Sequence, residues 1–306
     1  MDYLWGIDLG GTKIEGVVLS VDNLSTPIAR ERISTEAEKG YAHIINRVHE
    51  LITILINKSS LRPTKIGFGT PGIFDRCDQK MKNCNTTCLN GRNLKKDLAD
   101  KLKKDILISN DANCFIIAES ILGAAGKFNS AFGIIMGTGV GGGITVNKKL
   151  HQGLHGIAGE WGHNQLLENG EPCYCGKKGC VETVISGPAL ERYYKTLSHK
   201  EMKLPQICEA AKNGDALALQ TMEYLVANFA KAVSTVINIM DPEVIVLGGG
   251  VSNIERLYTE GLAEIGKYIF NDKVQTKIVQ NALGDSAGVF GAAMLCQDYH
   301  NERNKD

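Results

Sequence analysis

Apolar and polar positions alternate as the chain opens. Tyr3 to Asp8 and Lys13 to Ser20 read as two strands around the tight turn Gly10-Gly11, and a third strand is predicted around Ile28 to Ile33. The period then changes. Ile44, Ile45, Val48, Leu51, Ile52 and Leu55 recur at helical spacing and predict a helix from about Tyr41 to Lys58. Lys65 to Gly69 reads as a buried strand stopped by the breaker Thr70-Pro71-Gly72. A polar, irregular stretch from Asp75 to Asn93 follows, then a helix, then the strand Ile106 to Ser109 leading into Asn110-Asp111-Ala112-Asn113.

The second half opens with a predicted helix over Ala112 to Ala125 and a strand over Ala131 to Met136. Gly137 to Gly143 turns that strand into another, Ile144 to Val146. A long helix around Ala216 to Met240 precedes the buried strand Val244 to Leu247 and the run Gly248-Gly249-Gly250, which opens toward a helix near Ile254. Ala287 to Cys296 is the last helix, and Asp298 to Asp306 is a polar tail. No proline-rich linker separates the halves, so short hinges are expected.

The two halves share a pattern. Gly6 to Leu19 lies over Gly133 to Val146 without a gap, with Gly6 on Gly133, Gly10 on Gly137 and Gly16 on Gly143. Both are strand, glycine turn, strand. A duplicated fold holding a nucleotide between its halves would need such a pair, although glycine-rich hairpins are also common.

Composition narrows the function classes. At 306 residues the chain can build two cores. Its 34 basic and 34 acidic residues cancel, which removes the broad electrostatic case for a nucleic-acid or membrane partner. The start lacks the layout of a signal peptide and no apolar run reaches membrane length, so a cytoplasmic protein is expected. Three of the nine cysteines crowd into Cys173-Tyr174-Cys175-Gly176-Lys177-Lys178-Gly179-Cys180. Without an export signal, that favours a metal over disulfides.

Several segments then carry candidate chemistry. In Asp8-Leu9-Gly10-Gly11-Thr12-Lys13 a strand ends in an acid followed by two glycines and a hydroxyl. Its N–H groups can meet phosphate oxygens, and Asp8 could hold Mg²⁺ through water, although an ordinary hairpin turn fits the segment equally well. Gly137-Thr138-Gly139-Val140-Gly141 is the second candidate clamp, and Gly248, Gly249 and Gly250 offer a third place for nucleotide. Asp111 is either an N-cap or the base that accepts a hydroxyl proton. Cys173, Cys175 and Cys180 supply three thiolates, and His163 is the natural fourth ligand of a structural zinc, with His151 and His155 as competitors. Cys77, Cys84 and Cys88 are wider spaced and read as free thiols. Glu160 and Glu182 flank the zinc loop and can accept hydrogen bonds from sugar hydroxyls, as can a free nitrogen of His163.

Taken together, these segments resemble the ROK (repressor, open reading frame, kinase) family over essentially the whole chain. Asp8 to Lys13 and Gly137 to Gly143 resemble its two phosphate motifs, Asn110-Asp111 its catalytic pair, and Glu160-x-Gly162-His163 its sugar motif. Cys173 to Glu182 resembles its zinc loop, Asp241 to Asn253 its adenosine segment, and Gly284 to Gly288 its closing segment. The resemblance implies an actin-like, ribonuclease H-like duplicated α/β fold with an interdomain cleft. A smaller domain over residues 1–109, joined by the C-terminal helix 288–306, would face a larger one over 110–287. It further implies a homodimer that moves the γ-phosphoryl group of ATP, with Mg²⁺, to the 6-hydroxyl of a hexose. Gly72, Asn85, Asn90, Asn110, Asp111, Glu160, His163 and Glu182 would line the sugar site. Within the family, Ala158 to Asn164, Pro172 to Cys175 and Asn85 to Gly91 are most similar to bacterial manno(fructo)kinases, pointing to fructose or mannose. N-acetylglucosamine kinases and glucokinases share most of these motifs.

Two other classes compete. A sugar-sensing repressor of this family places a helix-turn-helix before the first phosphate strand, and here that strand begins at Tyr3. A serine hydrolase is suggested by Gly284-Asp285-Ser286-Ala287-Gly288, but it would need a histidine after the serine, and only His300 follows.

Overall fold

A computed structural model describes residues 2–303, with side chains through Gln297. The chain runs β1 (Tyr3–Leu9), β2 (Lys13–Ser20), β3 (Ala29–Ser34), α1 (Tyr41–Ser59), β4 (Lys65–Thr70), β5 (Ile73–Asp75), β6 (Lys80–Lys82), α2 (Leu94–Leu102), β7 (Asp105–Asn110) and α3 (Asp111–Ile121). It continues through β8 (Ser130–Met136), β9 (Val140–Val146), β10 (Lys149–Leu150), α4 (Val181–Ile185), α5 (Gly187–Ser198), α6 (Leu204–Lys212) and α7 (Ala216–Met240). It ends with β11 (Val244–Gly248), α8 (Glu260–Ile265), β12 (Lys277–Gln280) and α9 (Ala287–Arg303). The last three residues of the expected tail, and the side chain of His300, lie outside the described residues. No helix among the described residues is long and apolar enough to cross a membrane.

The internal repeat is present as topology. One sheet has the order β3-β2-β1-β4-β7 and the other β10-β9-β8-β11-β12. In each, a hairpin strand sits at the centre and the two following strands join it in parallel. Parallel strands leave their carboxyl ends at one edge of a sheet, where ligands of such folds bind.

Packing divides the described chain into two units. The first holds the residues up to Lys127, Ile144–Ala158 and the segment from Ala282; the second holds Phe128–Gly143 and Gly159–Asn281. The core of the first unit is built on Trp5, Ile7, Leu9, Ile14, Leu51, Leu55, Ile66 and Phe68, which come from β1, β2, α1 and β4. α1 reaches it with the six apolar residues its period predicts. α9 lies on β1 and β4, and no side chain fits at Gly67, which faces the Ala292 carbonyl. α3 packs chiefly on α9. Residues 110–127, expected in the larger domain, therefore lie in the first unit. α3 is buried on every side, from Ala112 to Ser120, and its last turn is fixed by the fully buried Glu119. That carboxylate accepts the N–H groups of Ala124, Ala282 and Leu283, so the helix stops at Ile121 and not at Ala125.

In the second unit, α7 is the hub against which α4, α5, α6 and α8 pack. β11 is buried at every residue between β8 and β12. After it, the chain makes two 3-10 turns, Gly250–Asn253 and Glu255–Leu257, where a helix near Ile254 was expected.

Candidate functional site

In the first unit, sheet register lines up the acids. Asp8 on β1 faces Gly69 on β4, Gly69 faces Ser109 on β7, and Thr70 faces Asn110. Three parallel strand ends thus bring Asp8, Thr70, Asn110 and Asp111 to one edge. The helix cap falls to the neighbouring asparagine and not to Asp111. Asn110 is the N-cap, its Oδ1 accepting the Asn113 N–H at 2.8 Å, and Asp111 occupies the first helical position. Asp111 Oδ1 accepts the Ala112 N–H at 2.8 Å. Its side chain reaches solvent, yet protein atoms crowd around it. Desolvation raises its carboxyl above the ordinary range, against the opposing pull of the N–H groups of Ala112 and of Asp111 itself.

Asp8 is pushed up to about 6, first by burial, then by the charges of Asp111 and Glu15, with Lys13 and Arg32 opposing. Its oxygens lie against Gly69 and Gly288, where an added Cβ would come within 3.3 and 3.0 Å of them. Burial, and then the charges of Asp8 and Asp111, hold the Cys114 thiol well above its usual range, so Cys114 stays neutral between the acids. Two repelling carboxylates in a desolvated recess are a fit for a divalent cation, which would relieve both.

The neighbouring turn is braced by residues that local motif reading missed. Gly10 N–H donates to the Lys13 carbonyl at 3.0 Å. The fully buried Thr35 donates its hydroxyl to the Gly10 carbonyl at 2.7 Å and its N–H to the Thr12 carbonyl at 3.0 Å. Thr86 Oγ1 stands 3.1 Å from where a Cβ on Gly11 would lie. No sequence signal marks Thr35; it enters through the pairing of Lys13 with Ser34. Among the expected sugar residues, Asn90 uses its amide on both backbone groups of Cys84, at 2.8 and 3.2 Å, and Gly72 admits Cys84 against its Cα. Asn85 donates its N–H to the Pro71 carbonyl at 3.1 Å. Gly72, Asn85 and Asn90 are therefore parts of one loop wrapped on buried Cys84.

In the second unit, His163, Cys173, Cys175 and Cys180 bring their ligand atoms within 4.8 Å of one another. His163 Nδ1 lies 3.5 Å from Cys173 Sγ, and Cys175 Sγ lies 3.6 Å from Cys180 Sγ. A tetrahedral zinc with bonds of about 2.3 Å to sulfur and about 2.0 Å to nitrogen requires edges of about 3.5 to 3.8 Å, so the donor set fits that ion. His151 and His155 are not in the cluster. The other ring nitrogen, His163 Nε2, meets the Tyr174 hydroxyl at 3.0 Å. Desolvation first, then the charges of Glu182 and Glu160, raise the Tyr174 phenol above its usual range, which puts both predicted sugar-binding carboxylates near it.

Glu182 also supports the glycine turn. Its Oε2 accepts the Val140 N–H at 2.9 Å, so that donor, expected on phosphate, is turned to a carboxylate. Gly137 N–H donates to the Gly139 carbonyl at 2.9 Å, and the Gly137 carbonyl accepts from Gly187 at 2.9 Å. Thr138 lines two cavities: one of ≈ 200 Å³ with Tyr174 and Glu182, and one of ≈ 1190 Å³ with Gly137, Gly250, Asn253 and Arg256. Of the third glycine run, Gly250 lines the larger cavity. Gly249 packs its Cα on Met136 with φ +81°, a conformation glycine adopts without strain.

Residues 4–299 match the ROK family. This chain belongs to that family. It is 34% identical over 301 residues to the N-acetyl-D-glucosamine kinase of Vibrio parahaemolyticus serotype O3:K6 (strain RIMD 2210633), covering 95% of this chain and 98% of that one. Its fold is similar to a ROK hexokinase from Thermus thermophilus, with TM-score 0.89 and 26% identity over 98% of this chain and 100% of that one. It is also similar in fold to a ROK family glucokinase from Streptomyces griseus solved with glucose and AMPPNP, at TM-score 0.79 and 24% identity over 97% and 100% of the two chains.

The ROK motifs are thus shared between the two units: the acids Asp8 and Asp111 in the first, the zinc set and two of the glycine runs in the second. The nucleophile-elbow pattern of the closing ROK segment does not form an elbow. Ser286 sits in a 3-10 turn, Gly284–Ser286, and its hydroxyl accepts from Arg30 at 3.1 Å. Cys77 is exposed, Cys84 buried and Cys88 half-buried.

Proposed function

We propose that this ROK-family sugar kinase transfers the γ-phosphoryl group of ATP to the 6-hydroxyl of a hexose, with N-acetylglucosamine as the preferred sugar. The observation that carries the sugar assignment is the 34% identity to an N-acetyl-D-glucosamine kinase over 95% of the chain. Motif likeness ranks fructose or mannose first, but it samples a few segments shared by several hexose kinases, whereas the identity runs along 95% of the chain.

Asp111 acts as the base. In support, its carboxylate is both accessible and desolvated, and a raised pKa brings a carboxylate closer to the working range of proton acceptors at neutral pH. Asn110 carries the cap and so leaves Asp111 to the substrate hydroxyl. Asp8, with Asp111 beside it, would hold Mg²⁺, which supplies charge neutralisation for the phosphates when bound. Of the turns Gly10 to Lys13 and Gly137 to Gly141, the N–H groups other than those of Gly10, Gly137 and Val140, which the turns and Glu182 already engage, supply donors to the triphosphate. Glu160, His163 and Glu182 orient the sugar, together with Asn85, Asn90 and Asn110.

A coupled ATP-consumption assay over glucose, fructose, mannose, N-acetylglucosamine and N-acetylmannosamine tests this reading. N-acetylglucosamine should give the highest kcat/KM, with a 6-phosphate product by NMR. Asp111→Asn should lose about 10²- to 10⁴-fold in turnover while keeping sugar binding and melting temperature. Fructose or mannose ranking first would remove the sugar assignment, and near-normal turnover in the variant would remove the base.

A further inference from the structure

The zinc loop holds an aromatic residue in an unusual position. Tyr174 lies between two of the metal-binding residues, Cys173 and Cys175, so its backbone is pinned when the loop is closed. The residue is 63% exposed. What touches it is His163: the hydroxyl is 3.0 Å from Nε2, and the rings meet edge to face at 5.1 Å and 88°.

Bond polarity follows from the zinc fit. With Nδ1 turned to the thiolates, a neutral His163 keeps its proton on Nε2, and that N–H donates to the phenol oxygen. The nitrogen expected to accept from a sugar hydroxyl is then a donor, and what it offers a hexose is an N–H to one of its oxygens. Tyr174 also lines the ≈ 200 Å³ cavity with Glu182 and Thr138.

We propose that the Tyr174 hydroxyl is a built-in competitor of the sugar: it caps His163 Nε2 in the free protein and swings away when a hexose oxygen takes its place. The proposal rests on the hexose reading above. The displacement is easy because little packing holds a mostly exposed ring, and exposed side chains change rotamer within nanoseconds. Its consequence is a lowered affinity. A site capped most of the time binds its ligand more weakly in proportion to the uncapped fraction. The cap also keeps the imidazole oriented while the site is empty. Tyr174 is therefore a positioning residue that tunes sugar affinity, and the phosphoryl transfer does not pass through it.

The test is Tyr174→Phe, which removes one oxygen from an exposed ring and leaves the zinc ligands in place. Hexose binding is measured by calorimetry without nucleotide, beside zinc content and binding of an ATP analogue. The variant should keep one zinc per chain and its nucleotide affinity, and should bind N-acetylglucosamine about two- to tenfold more tightly, the range that one net hydrogen bond spans. Unchanged or weaker sugar binding with zinc retained overturns the cap, and weaker binding would make the phenol a direct sugar contact. If the wild-type protein binds no hexose of the panel, the hexose reading and the cap fail together, a result distinct from either of those.

Discussion

Asp8 shows how much a single carboxyl can be displaced by its surroundings. Half-buried on β1, it faces Asp111 and Glu15, and Lys13 and Arg32 only partly compensate. Glu15 itself is nearly fully buried and held by Arg30 at 2.5 Å and Arg32 at 2.5 Å, so much of the local positive charge is already engaged. A carboxyl raised from 3.8 to about 6 binds its proton more tightly in the folded chain than in the unfolded one. Its contribution is therefore most favourable below pH 3.8 and is lost as pH rises through about 6. Ionised Asp8 should cost about 3 kcal/mol at pH 7.5, since each tenfold change in proton affinity is worth about 1.4 kcal/mol. Asp8→Asn, melted in urea without Mg²⁺, should be more stable than the wild type at pH 7.5 by up to that amount. The gain should fade toward pH 4, and turnover should drop. A variant no more stable than wild type at pH 7.5 would mean the carboxyl is not strained by its neighbours.

At the scale of elements, the loop from Gln165 to Cys180 depends on metal chemistry more than on a core. Bridges pair Gln165 with Cys180 and Pro172 with Lys178, and Cys173 N–H closes on the Lys177 carbonyl at 2.8 Å. Its buried side chains are chiefly the metal-binding thiols, so metal binding supplies folding energy that apolar burial does not. Cys175→Ser should release zinc, and the hexose KM should rise about tenfold or more, since His163 and Glu182 lose their frame. The ATP KM should move far less. Full sugar affinity in a zinc-free protein would contradict this. The loop was legible because three cysteines in eight positions leave few alternatives. Long elements were legible too, because α1 and α7 repeat a period over several turns. β6 was hidden in the polar stretch, and β5 ends where that stretch begins: each has three residues, and only Met81 among them is buried. α5 and α6 also went unassigned, though Pro188 and Pro205 sit at the first-turn positions where proline starts a helix.

Across the whole molecule, the duplicated hairpin was readable because glycine spacing survives in sequence, while the division into units was not. The chain enters the second unit at Phe128, leaves at Ile144, returns at Gly159 and leaves again at Ala282. Those crossings carry no composition change, and α3 joins the first unit through packing on α9, which lies far along the sequence. The larger cavity likewise falls within one unit. Every residue lining the ≈ 1190 Å³ cavity belongs to the second unit, including Gly137, Leu204, Cys208, Met222, Gly250 and Asn253. Adenosine held there would protect the backbone around it by stabilising the bound conformation. Hydrogen exchange with a non-hydrolysable ATP analogue should therefore slow at Gly250–Asn253 and along α6. Because Asp111 lies outside that unit, Asp111→Asn should show the same protection while turning over little ATP. Protection confined to the first unit, or lost in the Asp111 variant, would move the nucleotide's adenosine end away from this cavity.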